Sequence, residues 1–514
     1  MQKRILTAIL LTFFLTCVLS GCGSLSQEDF SANGMSSGKS TIKVDPTDPN
    51  ANYEAGRSYL YGLEGQEIDL EAAFICFEKA LELGMTEANL YLGFLYDWYG
   101  YPEKDFAKAR AYYEAVGENP YAQLALGSLY YGGQGVEENP EKARELCESV
   151  IAQGYPEGYF LGGEMAYQEG DYAYAMECYT RALEGTEQLY ISNAMTVIAF
   201  MYANGEGVEQ DYSKTVEWFE KAAGLGNPTA AYNIGYMYQE GIGVEQNYAE
   251  ALEWFEKGAA LGEPNAMAYT GYLYQDGLGV NQDFAKAMEW YLKAAELGEP
   301  SAITNIGYMY QEGQGVKQDY AKAMEWFQKA ADLGDPAAML NVGCLFQEGL
   351  GMEQDYAKAM EWYLKAAELG ESYATNSVGY LYQEGLGVEQ DFAKAMEWFQ
   401  KAIDLGNPAA MLNTGWMYQE GQGVEQDYAK AMEWYEKAAD LGDTYAMLNI
   451  GYLYQEGLGV EQDYAKAMEW YQMTADLGEP YGMIAIGDMY QDGLGVEQDP
   501  VMAQKWYRKA YGAR

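Results

Sequence analysis

Residues Ala285–Tyr320 read AKAMEWYLKAAELGEPSAITNIGYMYQEGQGVKQDY, and the reading of these 36 positions decides the fold. Phe284, just before them, with Ala287, Met288, Tyr291, Ala294 and Ala295, recurs at helical spacing as one apolar stripe. Trp290 and Leu297 widen it, so the stripe is expected to touch two neighbours. Gly298 closes this helix, because glycine takes the left-handed conformation without steric cost. Pro300 opens the next helix at its first turn, where a missing N–H costs nothing. There Ala302, Ile303, Ile306, Met309 and Tyr310 share a face with Gly307. Glycine inside a helix costs about 1 kcal/mol relative to alanine. Its presence on that face implies a packing reason, the close approach of a neighbouring helix backbone. Gly313-Gln314-Gly315-Val316 ends the helix, and Asp319 can N-cap its successor.

Outward from this stretch, glycine returns every 36 residues at Gly235, Gly271, Gly307, Gly343, Gly379, Gly415, Gly451 and Gly487. The register runs back less regularly through Ala199, Gly163, Gly127, Gly93 and Gly56, which makes thirteen units from about Asn52 onward. Asn227-Pro228, Asp335-Pro336 and Asn407-Pro408 repeat the stop–start signal with better capping residues. Nothing alternates with period two, so no strands are expected. Paired helices at this period cannot bury their faces alone and stack into a solenoid stabilised by neighbour contacts.

The pattern A-x-x-x-x-G-x-x-Y, then G-x-G-V, then D-Y-x-K-A-x-x-W-[FY]-x-K-A-A-x-x-G resembles the Sel1-like repeat, a relative of the tetratricopeptide repeat. The resemblance is most specific in Gly205–Tyr507, fair in Glu118–Gly154, and weaker in Gly158–Ala194, which lacks the G-x-G-V loop. It implies an all-α fold, a right-handed α/α superhelical solenoid of about 13 helix-pair repeats, serving as a scaffold or adaptor. Divergent repeats would fill residues 51–198 and regular ones 199–514.

In tetratricopeptide-type superhelices the first helix of each pair lines the concave face. By that resemblance the residue after the signature glycine points into a groove: Tyr236, Tyr272, Tyr308, Cys344, Tyr380, Trp416, Tyr452 and Asp488. Two residues before the glycine stand Asn233, Asn305, Asn341, Asn413 and Asn449. Three residues past the aromatic comes glutamine, as at Gln239, Gln275, Gln311 and Gln383, always followed by an acid. One reading is a peptide groove: Asn holds the ligand backbone, Tyr stacks, and the acids attract Lys or Arg, each cation–π contact being worth about 0.5–2 kcal/mol. The other is framework: Tyr packs between repeats, Asn bonds the next helix, and Gln-Glu caps the loop. The tryptophans from Trp218 to Trp506, again 36 apart, read as inter-repeat packing, since Cys76 and Cys178 replace them in early repeats.

The N-terminus carries a different signal. Lys3-Arg4 precede a mostly apolar stretch, Ile5–Leu19, too short for a comfortable span but suited to a cleavable export signal. Leu19-Ser20-Gly21-Cys22 resembles the bacterial lipobox, in which the signal, residues 1–21, is cut before a cysteine that is then lipidated, as by palmitate. Residues 22–50 would be the lipidated Cys22 and a flexible tether rich in Ser, Gly, Asn, Asp and Thr. The expected location is the bacterial cell envelope, lipid-anchored and extracytoplasmic. Ser36-Ser37-Gly38-Lys39 matches a serine-nucleophile motif, and Gly38-Lys39-Ser40 the end of a phosphate loop, but neither has an element to present it.

The chain has 514 residues and a net charge of −47, or −49 once residues 1–21 are removed. Such charge argues against nucleic acid and for basic partners or plain solubility. Aromatics at 15% exclude a disordered chain. With no histidine, His-based triads and metal sites are excluded. Cys76, Cys147, Cys178 and Cys344, the cysteines left after the signal and Cys22, read as unbonded apolar fillers. No catalytic residue, metal or cofactor is expected. The leading reading is a membrane-anchored scaffold that binds a protein or peptide with basic segments in an acidic–aromatic groove, touching membrane through lipid only. Behind it stand a carbohydrate- or cation-binding surface lipoprotein and, last, an envelope hydrolase. A hydrolase needs unlike environments that split two carboxyl pKa values, which near-identical repeats do not offer.

Overall fold

The structure, a computed structural model, describes residues 45–63, 69–99 and 101–512. The signal, Cys22, nearly all of the tether and the Ser36–Lys39 near-motif lie outside the described residues. Those described form 26 α-helices and no strand. They part into two compact units between Gln282 and Asp283. The first runs from helix Pro49–Tyr61 to helix Pro264–Asp276, and the second from Phe284–Glu296 to Pro500–Gly512.

Local chemistry places the boundaries where the sequence sets them. Helix Pro300–Glu312 begins with proline at its first turn, capped by the Glu299 side chain, which accepts from Ser301 N at 3.3 Å. Gly313 ends it at φ 72°, its N–H reaching Met309 O. Asp319 then caps Tyr320–Asp332, accepting from Lys322 N at 3.1 Å. Asn227 and Asn407 cap their helices likewise, accepting from Ala230 N and Ala410 N. Between the two helices of a repeat, the loop is strapped by its own glutamine. Gln318 Nε2 donates to Gln311 O at 2.8 Å and to Tyr320 Oη at 2.9 Å. The second loop glycine serves the stack: a Cβ on Gly315 would lie 2.6 Å from Phe284 Cβ, at the start of the preceding repeat's second helix.

The signature glycine has a more specific partner than a helix backbone. In most repeats it faces the ring of the aromatic twenty residues on, in the paired helix. A Cβ on Gly307 would sit 2.5 Å from the Phe327 ring, and the same holds for Gly235 on Phe255, Gly379 on Phe399, Gly415 on Tyr435 and Gly451 on Tyr471. The divergent repeats keep the seat: Gly56 faces Phe77, Gly93 Tyr113 and Gly163 Tyr179. Gly127 is the exception, with Leu161 filling the place of the ring. Around each ring lie small, fully buried alanines, such as Ala323 and Ala330 beside Phe327.

Leu297 corrects one expectation. It does not widen the buried stripe but stands 55% exposed, as do Leu333 and Leu369. It is the C-cap residue, where the chain leaves the helix for Gly298 at φ 81°, so its side chain turns off the stripe. The tryptophans do pack between repeats: Trp362 covers a cluster of Phe327 from the preceding pair with Val342 and Leu345 of its own. All four described cysteines are free. Cys147 and Cys178 are buried, and Cys76 and Cys344 half-buried. Burial pushes the Cys147 thiol up to about 12.

Ring identity sets a hydroxyl ledger. Tyr435 Oη donates to Gln419 Oε1 at 3.0 Å, and Tyr363 Oη to Gln347 Oε1 at 3.0 Å. Where the ring is Phe255 or Phe399, the matching Gln239 and Gln383 keep a buried Oε1 with no partner. Phe399→Tyr is therefore expected to supply the missing donor to Gln383 and stabilise the protein by about 1 kcal/mol. Urea melts that show destabilisation instead would mean the site has no room for the hydroxyl.

Candidate functional site

The face singled out by sequence is carried by the first helices of the regular repeats. Their lengths and caps are uniform, so one position recurs at one place in each pair. Of the aromatic residues after the signature glycine, Tyr272, Tyr380 and Tyr452 are the open ones, 36%, 40% and 43% exposed. Each has a carboxylate one helical turn on, Asp276, Glu384 and Glu456. Burial and then the Asp276 charge hold the Tyr272 phenol above its usual range, and burial and then Glu384 do so for Tyr380. Both hydroxyls thus remain protonated donors.

Other members of the column are spent in the framework. Tyr236 and Tyr308 are half-buried, the first edge-on to Tyr269 and the second edge-on to Phe327. Trp416 packs on the cluster of Ala395, Phe399 and Met417. Asp488 accepts the hydroxyl of Tyr507, and Cys344 Sγ lies 3.5 Å from Tyr363 Oη.

The asparagines divide as well. Asn341 Nδ2 donates to Tyr308 Oη at 2.6 Å and to Ala337 O at 2.8 Å. Asn233 bonds Thr229 O in its own helix, and Asn413 bonds Asn376 of the preceding repeat. Asn305 and Asn449 are half-buried. Among the glutamines, Gln239 and Gln383 are buried. Gln311 donates to Glu312 at 3.0 Å and Gln239 to Glu240 at 2.9 Å, so the acids are steered by their neighbours. Gln275 lies on helix Pro264–Asp276 in the first unit.

Charge is sorted between the two helices of each pair. No first helix from Pro228–Glu240 to Pro480–Asp492 contains Lys or Arg. The lysines ride on second helices, over their aromatic rings. Lys329 Nζ lies 4.1 Å from the Trp326 ring centre, Lys365 4.0 Å from Trp362 and Lys437 3.8 Å from Trp434. The tryptophan column is thus occupied by the protein's own cations, and so are the first-helix rings of Tyr310, Tyr382, Tyr418 and Tyr454, under Lys322, Lys394, Lys430 and Lys466, while Tyr272, Tyr380 and Tyr452 have acids and no cation on their helix.

Two exposed features escaped the sequence reading. Tyr373, Tyr445 and Tyr481 stand open near the first-helix starts, with the rings of Tyr445 and Tyr481 6.3 Å apart. Beside them runs the row of exposed C-cap leucines. The only signal was a column that holds small or polar residues in other copies. Among the described residues no helix is long and apolar enough to cross a membrane.

Comparison with known proteins places these features in context. The Sel1 repeat family matches thirteen segments: 49–85, 86–115, 120–155, 159–186 and 192–227, then unbroken 36-residue steps from 228–263 to 444–479, and 480–512. Among solved structures, the chain is similar to c5321, a protective antigen present in uropathogenic Escherichia coli strains with an SLR fold. It shares 28% identity over 91% of this chain and 92% of that one, at a TM-score of 0.52. A Sel1 repeat protein from Oxalobacter formigenes shares 36% identity over 49% of this chain and 99% of that one, at a TM-score of 0.43.

Proposed function

The chain belongs to the Sel1 repeat family, and from that premise we propose that it is a lipid-anchored, extracytoplasmic scaffold that holds a protein or peptide partner with basic segments. Folds of this kind commonly serve as protein–protein interaction scaffolds and are typically non-enzymatic. The observation that carries the finer reading is the sorting of charge. The first helices of the regular repeats offer tyrosine and carboxylate one turn apart and contain no Lys or Arg. A Lys or Arg of the partner would lie on the ring and meet the acid at once, combining a cation–π contact with an ion pair. Tyr380 with Glu384 and Tyr452 with Glu456 are the contact points in the second unit, and Tyr272 with Asp276 in the first.

The anchor reading rests on Ile5–Leu19 followed by Leu19-Ser20-Gly21-Cys22. Lipid at Cys22 and a tether to residue 50 would hold the repeats off the membrane. That a protein of similar fold is a protective antigen in Escherichia coli supports a place on the outside of the cell.

Binding of a lysine-rich peptide to the soluble fragment Gly23–Arg514 tests the proposal. The affinity, read by fluorescence anisotropy, is expected to fall about tenfold or more between about 0.1 M and about 1 M salt, as the Debye length contracts from about 10 Å to about 3 Å. Equal affinity at both ends would remove the acidic face as the contact surface.

A further inference from the structure

The divergent repeats hold a cavity of their own. It measures about 220 Å³ and lies within the first unit, lined among others by Arg57, Tyr91, Phe94, Tyr121 and Glu187. Four first helices build it: Pro49–Tyr61, Ala88–Phe94, Pro120–Tyr131 and the start of Gln188–Asn204. Among the described first helices of all thirteen repeats, Arg57 is the sole Lys or Arg. Its Nε is buried with no hydrogen-bond partner, and its outer nitrogen reaches Glu54 only at 3.3 Å. A cation placed once, against the charge habit of the whole chain, needs a reason.

The anionic member of the lining, Glu187, is held in place. Tyr121 Oη donates to Glu187 Oε1 at 3.2 Å, and the Glu187 backbone N–H donates to the buried Glu157 carboxylate at 3.4 Å. Burial and the Glu187 charge keep the Tyr121 phenol protonated well above its ordinary range, so it stays a donor. The same lining is largely aromatic. Tyr91 is stacked on Phe77 at 4.9 Å and edge-on to Phe94 at 5.9 Å and Tyr61 at 6.4 Å. Leu90 and Leu189 complete an apolar lining.

We infer that this cavity binds a free α-amino acid with an apolar side chain, its carboxylate on Arg57, its ammonium on Glu187 and its side chain against Tyr91 and Phe94. Size and charge both select this occupant. The volume is below the range of drug-sized pockets, about 300–1,000 Å³. A lining that carries one cation and one anion is matched by a zwitterion, whereas a neutral sugar offers neither of them an opposite charge. The inference is independent of the tyrosine–acid columns of the regular repeats, and the lysine-peptide measurement above does not bear on it.

Isothermal titration calorimetry on the full chain tests it with L-leucine, N-acetyl-L-leucine and L-leucinamide, the last two each lacking one charge. Leucine is expected to saturate one site, and each analogue to bind about tenfold or more weakly. Arg57→Met and Glu187→Gln are each expected to weaken leucine by a similar factor, with unchanged far-ultraviolet circular dichroism. Should Arg57→Met not fold, Glu187→Gln and the two analogues on the unaltered chain decide. No binding of leucine, or analogues that bind as well as leucine, would overturn the inference. Equal binding by N-acetyl-leucine would mean a carboxylate site alone.

Discussion

Replacing Gly307 with leucine is expected to cost about 3 kcal/mol or more and to broaden the unfolding transition. Ordinary helix propensity runs the other way, since a glycine inside a helix is worth about 1 kcal/mol less than a better former. The space decides the sign. A Cβ at this position would already lie 2.5 Å from the Phe327 ring, before any further atom is added. The ring cannot retreat easily, because Ala323, Ala330, Val342 and Leu345 around it are fully buried and Trp362 covers the cluster. Overpacking of a filled core typically costs about 1–3 kcal/mol, and a branched side chain driven into an aromatic ring belongs at the upper end. Because stability in a repeat stack is carried by neighbour contacts, the loss spreads to adjoining pairs and weakens cooperativity. Unchanged melting and circular dichroism would refute the seat assigned to this glycine.

The second large effect concerns pH. Glu164 follows the signature Gly163 on helix Gly158–Gln168 and is fully enclosed, accepting from Tyr179 Oη at 2.6 Å. Burial raises its carboxyl to about 7, partly opposed by the Tyr179 hydrogen bond. The unfolded carboxyl titrates near the ordinary glutamate value of about 4.3. Folding therefore favours the protonated form. This contribution is complete below the unfolded pKa, is lost as pH rises through the interval, and levels off above about 7. Glu164→Gln keeps the acceptor and removes the titration. Relative to wild type it is expected to gain roughly 3 kcal/mol between pH 4 and pH 8, by linkage across the shift. Any constant effect of the amide cancels in that difference, as does the general repulsion of a chain at −47, common to both proteins. Denaturant melts across this range test it; a gap independent of pH would show that Glu164 is ionised in the folded protein.

Much of this was legible in the sequence because it repeats. A helix boundary marked by Asn407-Pro408 or Gly313-Gln314-Gly315 depends on neighbours in the chain, so local chemistry alone locates it. The signature glycine announced a close contact but not its partner, since a ring twenty residues away enters only when the two helices pack. Leu297 was misplaced because the stripe was drawn as if the helix ran straight to it, whereas the chain turns at that residue. The candidate face was legible as columns, but which members are open was not. Tyr308 and Tyr380 share a register position, yet the first is half-buried against Phe327 and Asn341 while the second stands open. Tyr308 has Asn341 as a partner at the next repeat, where the copy beyond Tyr380 carries Asn413 bonded elsewhere. The cavity around Arg57 was beyond reach of any pattern, because its residues come from four repeats and its one cation, Arg57, has no counterpart on the other described first helices.

Both the fold and the proposed face depend on the helix pairs of the regular repeats being set by a ring seated on a glycine, which keeps the first helices in register. A double-mutant cycle on Gly307 and Phe327 measures that seat directly. Phe327→Ala alone is expected to cost about 3–5 kcal/mol by leaving a void. In the double variant, leucine at 307 would grow into that void, so the combined loss should fall well short of the sum, with a coupling of about 1 kcal/mol or more. Strict additivity, within about 0.5 kcal/mol, would show that the two side chains do not share the space, and the account of how the pairs are held would be wrong.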